Sequence, residues 1–424
     1  MKTVERSRAA ILSLVSFLAP ASAAAADWPQ WRGPERTGIS KETGLLKEWP
    51  KEGPKLLWQT KGLGGGYSTP VVVGDRLYLL ANEGNDNEFV KALDGKANGK
   101  EVWRHRVGKV GNPDQRPPYP AARSTPTVDG DVLYALGSDG DLVCLETASG
   151  KERWKKSLRV EFAGQPGKWA YAESPLIDGD VLICTPGGSQ GTLVALKKKD
   201  GERVWQAEVP GGDAAGYASA IIVETGGVKQ YVQFVDKGLV GVDAKTGKFL
   251  WRYDRTAQGS PANIPTPVAH ENLVYSGTGR GGGGLVKLVA ADGKFTAEQV
   301  YFGAKLPTAI GGAVRIGDHL YGTASQGLVC VEFATGQVKW EDRSVGPGSL
   351  CFAEGLLYLH GENGDAALVE ATPEAYREKG RFTPPGQPDR GSSKAWAYPV
   401  VANGKLYLRD LDVLWCYDIK APGG

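Results

Sequence analysis

Methionine is almost missing from this chain, with one in 424 residues, and so are histidine, with four, and cysteine, with five. Each shortage excludes something. His105, His270, His319 and His360 fall in no His-Glu-x-x-His or clustered Cys/His spacing, so a dedicated zinc site is not expected and no metal ligands are assigned. Cys144, Cys184, Cys330, Cys351 and Cys416 lie far apart, each inside an apolar run such as Leu142-Val143-Cys144-Leu145. That spread is not a disulfide framework; it reads as buried thiols packing as small hydrophobes. No Gly-x-Ser-x-Gly elbow occurs, which leaves a hydrolase without support. Net charge is lacking too. Residues 1–26 hold Lys2, Arg6, Arg8 and Glu5, and the rest of the chain carries 47 groups of each sign. Such a balance gives no long-range field for nucleic acid, which is not an expected partner.

Long apolar runs are also absent beyond the first residues. Lys2, Arg6 and Arg8 precede the apolar stretch Ala9 to Ala19 and the small-residue tract Ala21 to Ala26, the three parts of an export signal. The stretch falls short of the roughly 20 apolar residues that span a bilayer. Residues 1–26 are therefore expected to be a cleaved signal peptide, with the protein periplasmic or extracellular and no transmembrane segment.

What the chain has in abundance is 59 glycines, 26 prolines and 12 tryptophans, the composition of short strands joined by tight turns. Self-similarity is evident. Cys144 to Trp154 recurs as Ala195 to Trp205, as Gly241 to Trp251 and as Cys330 to Trp340, with a looser copy from Leu93 to Trp103. The tryptophans are spaced by 51, 51 and 46 residues from Trp103 to Trp251, and the gap of 89 to Trp340 holds two units. Tyr301 takes the missing anchor position and Phe382 a further degenerate one. Ahead of each anchor stands a Ser/Thr-Pro or related pair, an apolar run, a tight turn and another run. Thr69-Pro70, Thr125-Pro126, Ser174-Pro175 and Tyr398-Pro399 are the clear cases; Ser219, Thr266, Gly312 and Leu350 open weaker ones. Turns such as Asp129-Gly130 and Asn403-Gly404 supply the positive φ that antiparallel hairpins need. Four strands per unit of about 40–50 residues is propeller spacing.

The expected fold is thus all-β, an eight-bladed propeller with four-stranded antiparallel blades. Trp58, Trp103, Trp154, Trp205, Trp251 and Trp340 are expected to dock neighbouring blades. The last unit stops after Leu414 to Asp418 without a fourth strand, while Leu56 to Thr60 is a fourth strand without the preceding three. Pairing them closes the ring and protects two sheet edges. Residues 27–55 then form an arm and 56–424 the propeller, and a closed ring makes a monomer the simplest expectation.

The Ala-x-Asp-x-x-Thr-Gly-x-x-x-Trp pattern, nearly intact at residues 241–251, resembles the tryptophan-docking repeat of quinoprotein alcohol dehydrogenases and BamB-type propellers, over about residues 56–420. The start Asp27-Trp-Pro-Gln-Trp-Arg-Gly-Pro34 is similar to exported bacterial PQQ-binding-like propellers. For the catalytic members, the resemblance implies pyrroloquinoline quinone (PQQ) over Ca²⁺ in the channel, a carboxylate base, basic groups on the quinone carboxylates and a vicinal cysteine pair. This chain has no Cys-Cys pair and no Cys-x-x-Cys-His haem site.

Three long loops lead into inner strands at one mouth of the channel, where ligands bind to propellers. They contribute Arg116, Tyr119 and Arg123; Trp169, Tyr171 and Glu173; and Arg390, Lys394 and Trp396. Arginine and tryptophan there suit a flat or anionic ligand, or an envelope or extracellular protein partner; solvated loops with aromatics packed on the blade ends are the plain alternative. Two functions follow. The first is a non-catalytic binding or assembly scaffold using the mouth or rim. The second is a PQQ- and Ca²⁺-dependent alcohol or sugar dehydrogenase, with Glu173 or Asp213 as acid/base and Arg123 on a cofactor carboxylate.

Overall fold

The computed structural model describes residues 26–115 and 119–422, so the signal segment through Ala25 and the candidate Arg116 lie outside the described residues. The chain forms eight antiparallel sheets of four strands, one of them joined by a fifth, short strand. Helix is confined to single turns at Leu158–Glu161 and Arg255–Ala257. No helix among the described residues is long and apolar enough to cross a membrane.

Blade 1 consists of Val71–Val73, Arg76–Glu83, Asn87–Asp94 and Lys100–Lys109, paired in chain order. The first strands of blades 2 to 7 begin at Thr127, Leu176, Ile221, Val268, Ala313 and Gly348. First strands touch one another around the channel and are mostly buried, whereas fourth strands such as Lys100–Lys109 are largely exposed. Blade 8 has only Val400–Ala402, Lys405–Asp410 and Val413–Asp418 of its own. Lys55–Thr60 pairs antiparallel with the last of these, Trp58 opposite Cys416, and the ring closes as the unmatched ends of the repeat require.

Blade docking rests on an aromatic ring laid over a glycine. In blades 1 to 4, 6 and 8 the turn before the fourth strand places glycine at positive φ, and the anchor ring of the preceding blade covers it; in blade 7 Tyr376 takes that place under Trp340. A Cβ added at Gly150 would lie 2.5 Å from the Trp103 ring, at Gly247 2.6 Å from Trp205 and at Gly336 2.7 Å from Tyr301. Trp58 covers Gly99 and Trp154 covers Gly201 in the same way, and Phe382 covers Gly53, the turn before the strand that completes blade 8. The ring's polar end then reaches a carbonyl of the next blade: Trp103 Nε1 donates to Thr147 O (3.0 Å), Trp154 Nε1 to Lys198 O (2.9 Å) and Trp340 Nε1 to Thr372 O (2.8 Å). Trp251 departs from the series, donating instead to Gln230 Oε1 of its own blade at 2.7 Å. The cause lies in blade 5, whose last two strands, Gly282–Ala291 and Lys294–Gly303, run long and turn at Asp292-Gly293, so no Thr-Gly turn sits beneath the ring. Trp251 packs on Val286 and Leu288 there. In the same blade Gly282 to Gly284 belong to the third strand, where a Cβ at Gly283 would press into the Tyr275 hydroxyl and lie 2.8 Å from Leu306.

The segment before the closing strand fills the channel. Trp28 exchanges backbone hydrogen bonds with Val72 (2.7 and 2.9 Å), and Pro29 O accepts from Val128 N (2.8 Å). Arg36 donates to Ser174 O, Pro175 O and Ala220 O in blades 3 and 4 at 2.9–3.1 Å. Trp31 Nε1 reaches Thr266 Oγ1 of blade 5 (2.9 Å), and Arg32 reaches Ala313 O of blade 6. Ile39–Ser40 adds the fifth strand, parallel to blade 7. Finally the Glu42 carboxylate accepts from Asn403 N (2.8 Å) and Gly404 N (2.9 Å) of blade 8. Every blade is touched at least once around the circle.

The docking contacts predict two costs. Trp154→Ala removes a buried ring and its hydrogen bond and should lower unfolding free energy by about 3–5 kcal/mol in urea titration. Gly247→Ala places a Cβ at φ +72 under the Trp205 ring and should cost about 1–3 kcal/mol for the backbone alone. A loss well under 1 kcal/mol in both variants would mean that ring-on-glycine docking does not hold the blades.

Candidate functional site

Where a blade has a Ser/Thr-Pro or Tyr-Pro pair its first strand begins just after the proline, at Val71, Thr127, Leu176, Val268 and Val400, and the chain leading into it is extended, so successive side chains point to opposite sides. The residue just before the proline carries a belt of hydroxyls. Tyr398 N donates to Thr69 Oγ1 (3.1 Å), Thr69 N to Thr125 Oγ1 (3.2 Å), Thr125 N to Ser174 Oγ (2.9 Å) and Ser174 N to Ser219 Oγ (2.9 Å). These bonds lock five consecutive blades, from 8 through 1 to 4, in fixed rotation about the axis. Two residues earlier, on the same side of the extended chain, stand Trp396, Tyr67, Arg123, Ala172 and Tyr217, and in blades 5 and 6 Ile264 and Ile310. All seven line one cavity of about 290 Å³.

Aromatic rings make most of its wall. Trp396 sits between Tyr67 and Tyr119, with centroids 5.0 and 4.9 Å away. Trp169 faces Tyr217 at 6.1 Å and donates its backbone N–H to the Tyr217 hydroxyl at 3.0 Å. On the channel side Trp31 of the arm closes the cavity, its ring edge-on to Tyr398 at 4.6 Å. Among the described residues Arg123 is the single charged side chain of the wall. It donates through Nη1 to Trp169 O, and through Nη2 to Tyr119 O at 3.3 Å and Gln115 Oε1 at 3.4 Å. All three acceptors are neutral, and no ion pair joins it to a described carboxylate. Burial pulls its pKa below the usual arginine value, opposed by Tyr67 and Glu88.

Of the residues picked from the sequence, Tyr119, Arg123, Trp169 and Trp396 come together in this wall; Lys394 lines a separate cavity with Glu362 and Asp365, and four others go elsewhere. Tyr171 is buried, donating to Pro186 O at 2.8 Å. Arg390 is held by Asp410, with Nε on Oδ2 at 2.7 Å. Glu173 follows the wall residue Ala172 but, by the alternation of an extended chain, turns into the interface of blades 3 and 4. There its carboxylate accepts from Thr185 N, Thr185 Oγ1 (2.7 Å) and Gln233 Nε2 (2.9 Å). Asp213 lies buried under Arg252 (3.2 Å) and Lys237 (3.5 Å); burial raises its pKa against those two cations. Tyr67, Tyr217, Tyr398 and Trp31 were missed. The first two carried a signal, a fixed offset of three residues before the strand-opening proline or its replacement; Trp31 reaches the site only through the arm.

Among the described residues the wall holds no aspartate or glutamate, and no three His, Cys, Asp or Glu side chains converge as a cation site. All five cysteines are buried and free. These residues do not fit a quinone bound over Ca²⁺, and no chemical step is derived through that pair.

Closed ring, filled channel and aromatic mouth define an eight-bladed propeller of the quinoprotein-like class. Within it the chain belongs to the family described as outer membrane protein assembly factor BamB, which matches residues 86–342 and 216–375, more than half its length. Relatives carry several names, among them dehydrogenases and assembly factors. The putative dehydrogenase XoxF of Paracoccus denitrificans is 29% identical over 201 residues, 44% of this chain and 31% of that protein, so the chain matches about a third of that relative's length. The outer membrane protein assembly factor BamB of Burkholderia pseudomallei is 26% identical over 324 residues, 61% of this chain and 73% of the relative. Among solved structures, BamB from Moraxella catarrhalis superposes with TM-score 0.59 at 15% identity, covering 86% of this chain and 97% of its own. A europium-containing methanol dehydrogenase gives 0.62 at 12% identity, covering 90% and 89%. These two likenesses show the fold alone.

Glu173 yields a pH prediction. Burial pushes its carboxyl from the usual 4.5 up to about 7, with Thr185, Arg36 and Gln233 opposing. Between those values the folded protein binds more protons than the unfolded chain, so stability falls as pH rises, by up to ~3 kcal/mol across the window. Urea unfolding from pH 4.5 to 7.5 should show that slope, and Glu173→Gln should flatten most of it; Glu88, whose carboxyl burial also raises, keeps a remainder. An unchanged slope in the variant would mean that Glu173 is not the titrating group.

Proposed function

We propose that this protein is a non-catalytic binding or assembly scaffold working outside the cytoplasm, and that it takes its partner at the propeller mouth. The observation that carries this reading is the composition of the wall: aromatic rings around one guanidinium, with Glu173 and Asp213 both turned away and engaged. A general acid or base must reach the proton it moves, and no carboxylate of this wall does. Tryptophan, tyrosine and arginine are the side chains that dominate binding hot spots, because they bury large rigid surfaces with a polar handle. Export is supported by the signal-like residues 1–26 and by relatives named for outer membrane protein assembly.

The dehydrogenase relatives favour a second reading, a PQQ- and Ca²⁺-dependent dehydrogenase, and one experiment separates the two. Protein lacking residues 1–26 is titrated with the quinone and Ca²⁺, following thermal stability, and then offered an alcohol panel with an artificial electron acceptor. The scaffold reading expects no rise in melting temperature and no turnover; saturable stabilisation with turnover overturns it. In parallel, immobilised wild-type protein should retain an envelope component that the Trp169→Ala/Trp396→Ala variant, with unchanged circular dichroism, does not retain. Equal retention by both would move the contact away from the mouth.

A further inference from the structure

The polar groups of the mouth narrow what it can hold. Nearly every one is already engaged: the Tyr398 hydroxyl donates to Ile310 O (3.1 Å), Trp31 Nε1 to Thr266 and Trp396 Nε1 to Glu362 Oε1 (2.9 Å), and the Tyr217 hydroxyl accepts from Trp169 N. A sugar, which needs many hydrogen-bond partners, finds few here. An ammonium ligand, for which aromatic cages are otherwise suited, would meet the Arg123 guanidinium in the same wall.

Two donors remain. Arg123 has five N–H groups, of which the three bonds described use Nη1 once and Nη2 twice at long distance, all to neutral oxygens. The adjoining Trp169 Nε1 is buried and has no hydrogen-bond partner. A cation half-withdrawn from water without a counter-charge, beside an unpaired indole N–H, is costly until an anion arrives. One guanidinium neutralises one carboxylate; a second or third on the same ligand would be buried unpaired. At about 290 Å³ the cavity sits at the small end of ligand sites.

From this arrangement, and resting on the mouth as the binding site, we infer that the cavity recognises a single carboxylate carried on one aromatic ring, the ring lodged among Tyr67, Trp396 and Tyr217 and the carboxylate on Arg123 and Trp169 Nε1. Charge-assisted bonds to arginine supply the selectivity, and ring packing supplies most of the contact area.

The test uses 3-phenylpropanoate and its uncharged amide as probes, read by tryptophan fluorescence and calorimetry on the full propeller, with residues 1–26 removed. The acid should bind saturably, and the amide at least tenfold more weakly. Arg123→Gln should erase the difference by weakening the acid, while Arg123→Lys keeps part of it. Trp169→Phe, which retains a ring and loses the N–H, should weaken the acid several-fold and leave the amide unchanged; it serves as the check if the Arg123 variants melt early. Equal binding of acid and amide, acid binding unmoved by Arg123→Gln, or binding of neither probe overturns the inference. If the amide binds as well as the acid and Trp396→Ala abolishes both, the mouth remains a receptor and only the carboxylate assignment falls. If neither probe binds, retention of the envelope component by wild type but not by the Trp169/Trp396 variant decides the scaffold reading by itself.

Discussion

A ring of eight sheets leaves the inner edge of every blade with backbone donors and acceptors that the ring cannot pair. First strands such as Val71–Val73 and Thr127–Asp129 pair within their own sheet on one edge only, and a buried peptide group without a partner costs as much as a lost hydrogen bond. The arm answers this requirement. It lends backbone to Val72, Val128 and Phe352, and guanidinium donors to the carbonyls of Ser174, Pro175, Ala220 and Ala313. Arginine suits the task because its planar fork reaches several carbonyls at once. Burial draws Arg36 down to about 10, with Glu173 as its main electrostatic support, so the arm and the blade 3 carboxyl are tied electrostatically as well as by packing.

The mouth depends on that filled channel. Trp31 reaches the cavity only because the chain around it is pinned to blades 1, 2, 3 and 4 on one side and to blades 6, 7 and 8 on the other. Its hydrogen bond to Thr266 supplies blade 5 and turns the indole toward Tyr398. The hydroxyl belt from Thr69 to Ser219 then fixes the angular spacing of the residues two positions upstream. One device, a Ser or Thr ahead of a strand-opening residue, both holds five blades in rotation and presents Trp396, Tyr67, Arg123 and Tyr217 to a common space. Ring-on-glycine docking at the outer edge does the corresponding work far from the axis.

Architecture was legible in the sequence because its devices are local and repeated: Thr-Gly turns, the anchor tryptophan and Asp-Gly hairpins recur within each unit, and closure follows from counting strands. Even Tyr301 and Phe382 were readable as degenerate anchors, and both lie over a glycine. Trp251 was not fully readable, since its missing carbonyl partner depends on the hairpin length of the next blade. The site was legible in part. Loop length pointed to Arg123, Trp169 and Trp396, but the same criterion gathered Tyr171, Glu173 and Arg390, because it ignores the alternation of an extended chain. Register from the strand-opening proline separates Ala172 from Glu173 and finds Tyr67 and Tyr217 where no loop is long. Trp31 had no such signal, as its place comes from contacts with seven other blades.

The split among the relatives follows from where this fold keeps its chemistry. Docking glycines, anchor rings and hairpin turns lie in the blades and are indifferent to what the mouth holds, so a match built on them joins assembly factors and dehydrogenases alike. The wall of the mouth is set by the positions two residues before the belt hydroxyl or its replacement. In blades 1 to 6 and 8 these are Tyr67, Arg123, Ala172, Tyr217, Ile264, Ile310 and Trp396, and none is a carboxylate. Moving the acidic residue of blade 3 by one position, from 173 to 172, would aim it at the cavity instead of at Thr185 and Gln233. A single register step thus separates a wall that presents a carboxylate from this one, which among the described residues presents none.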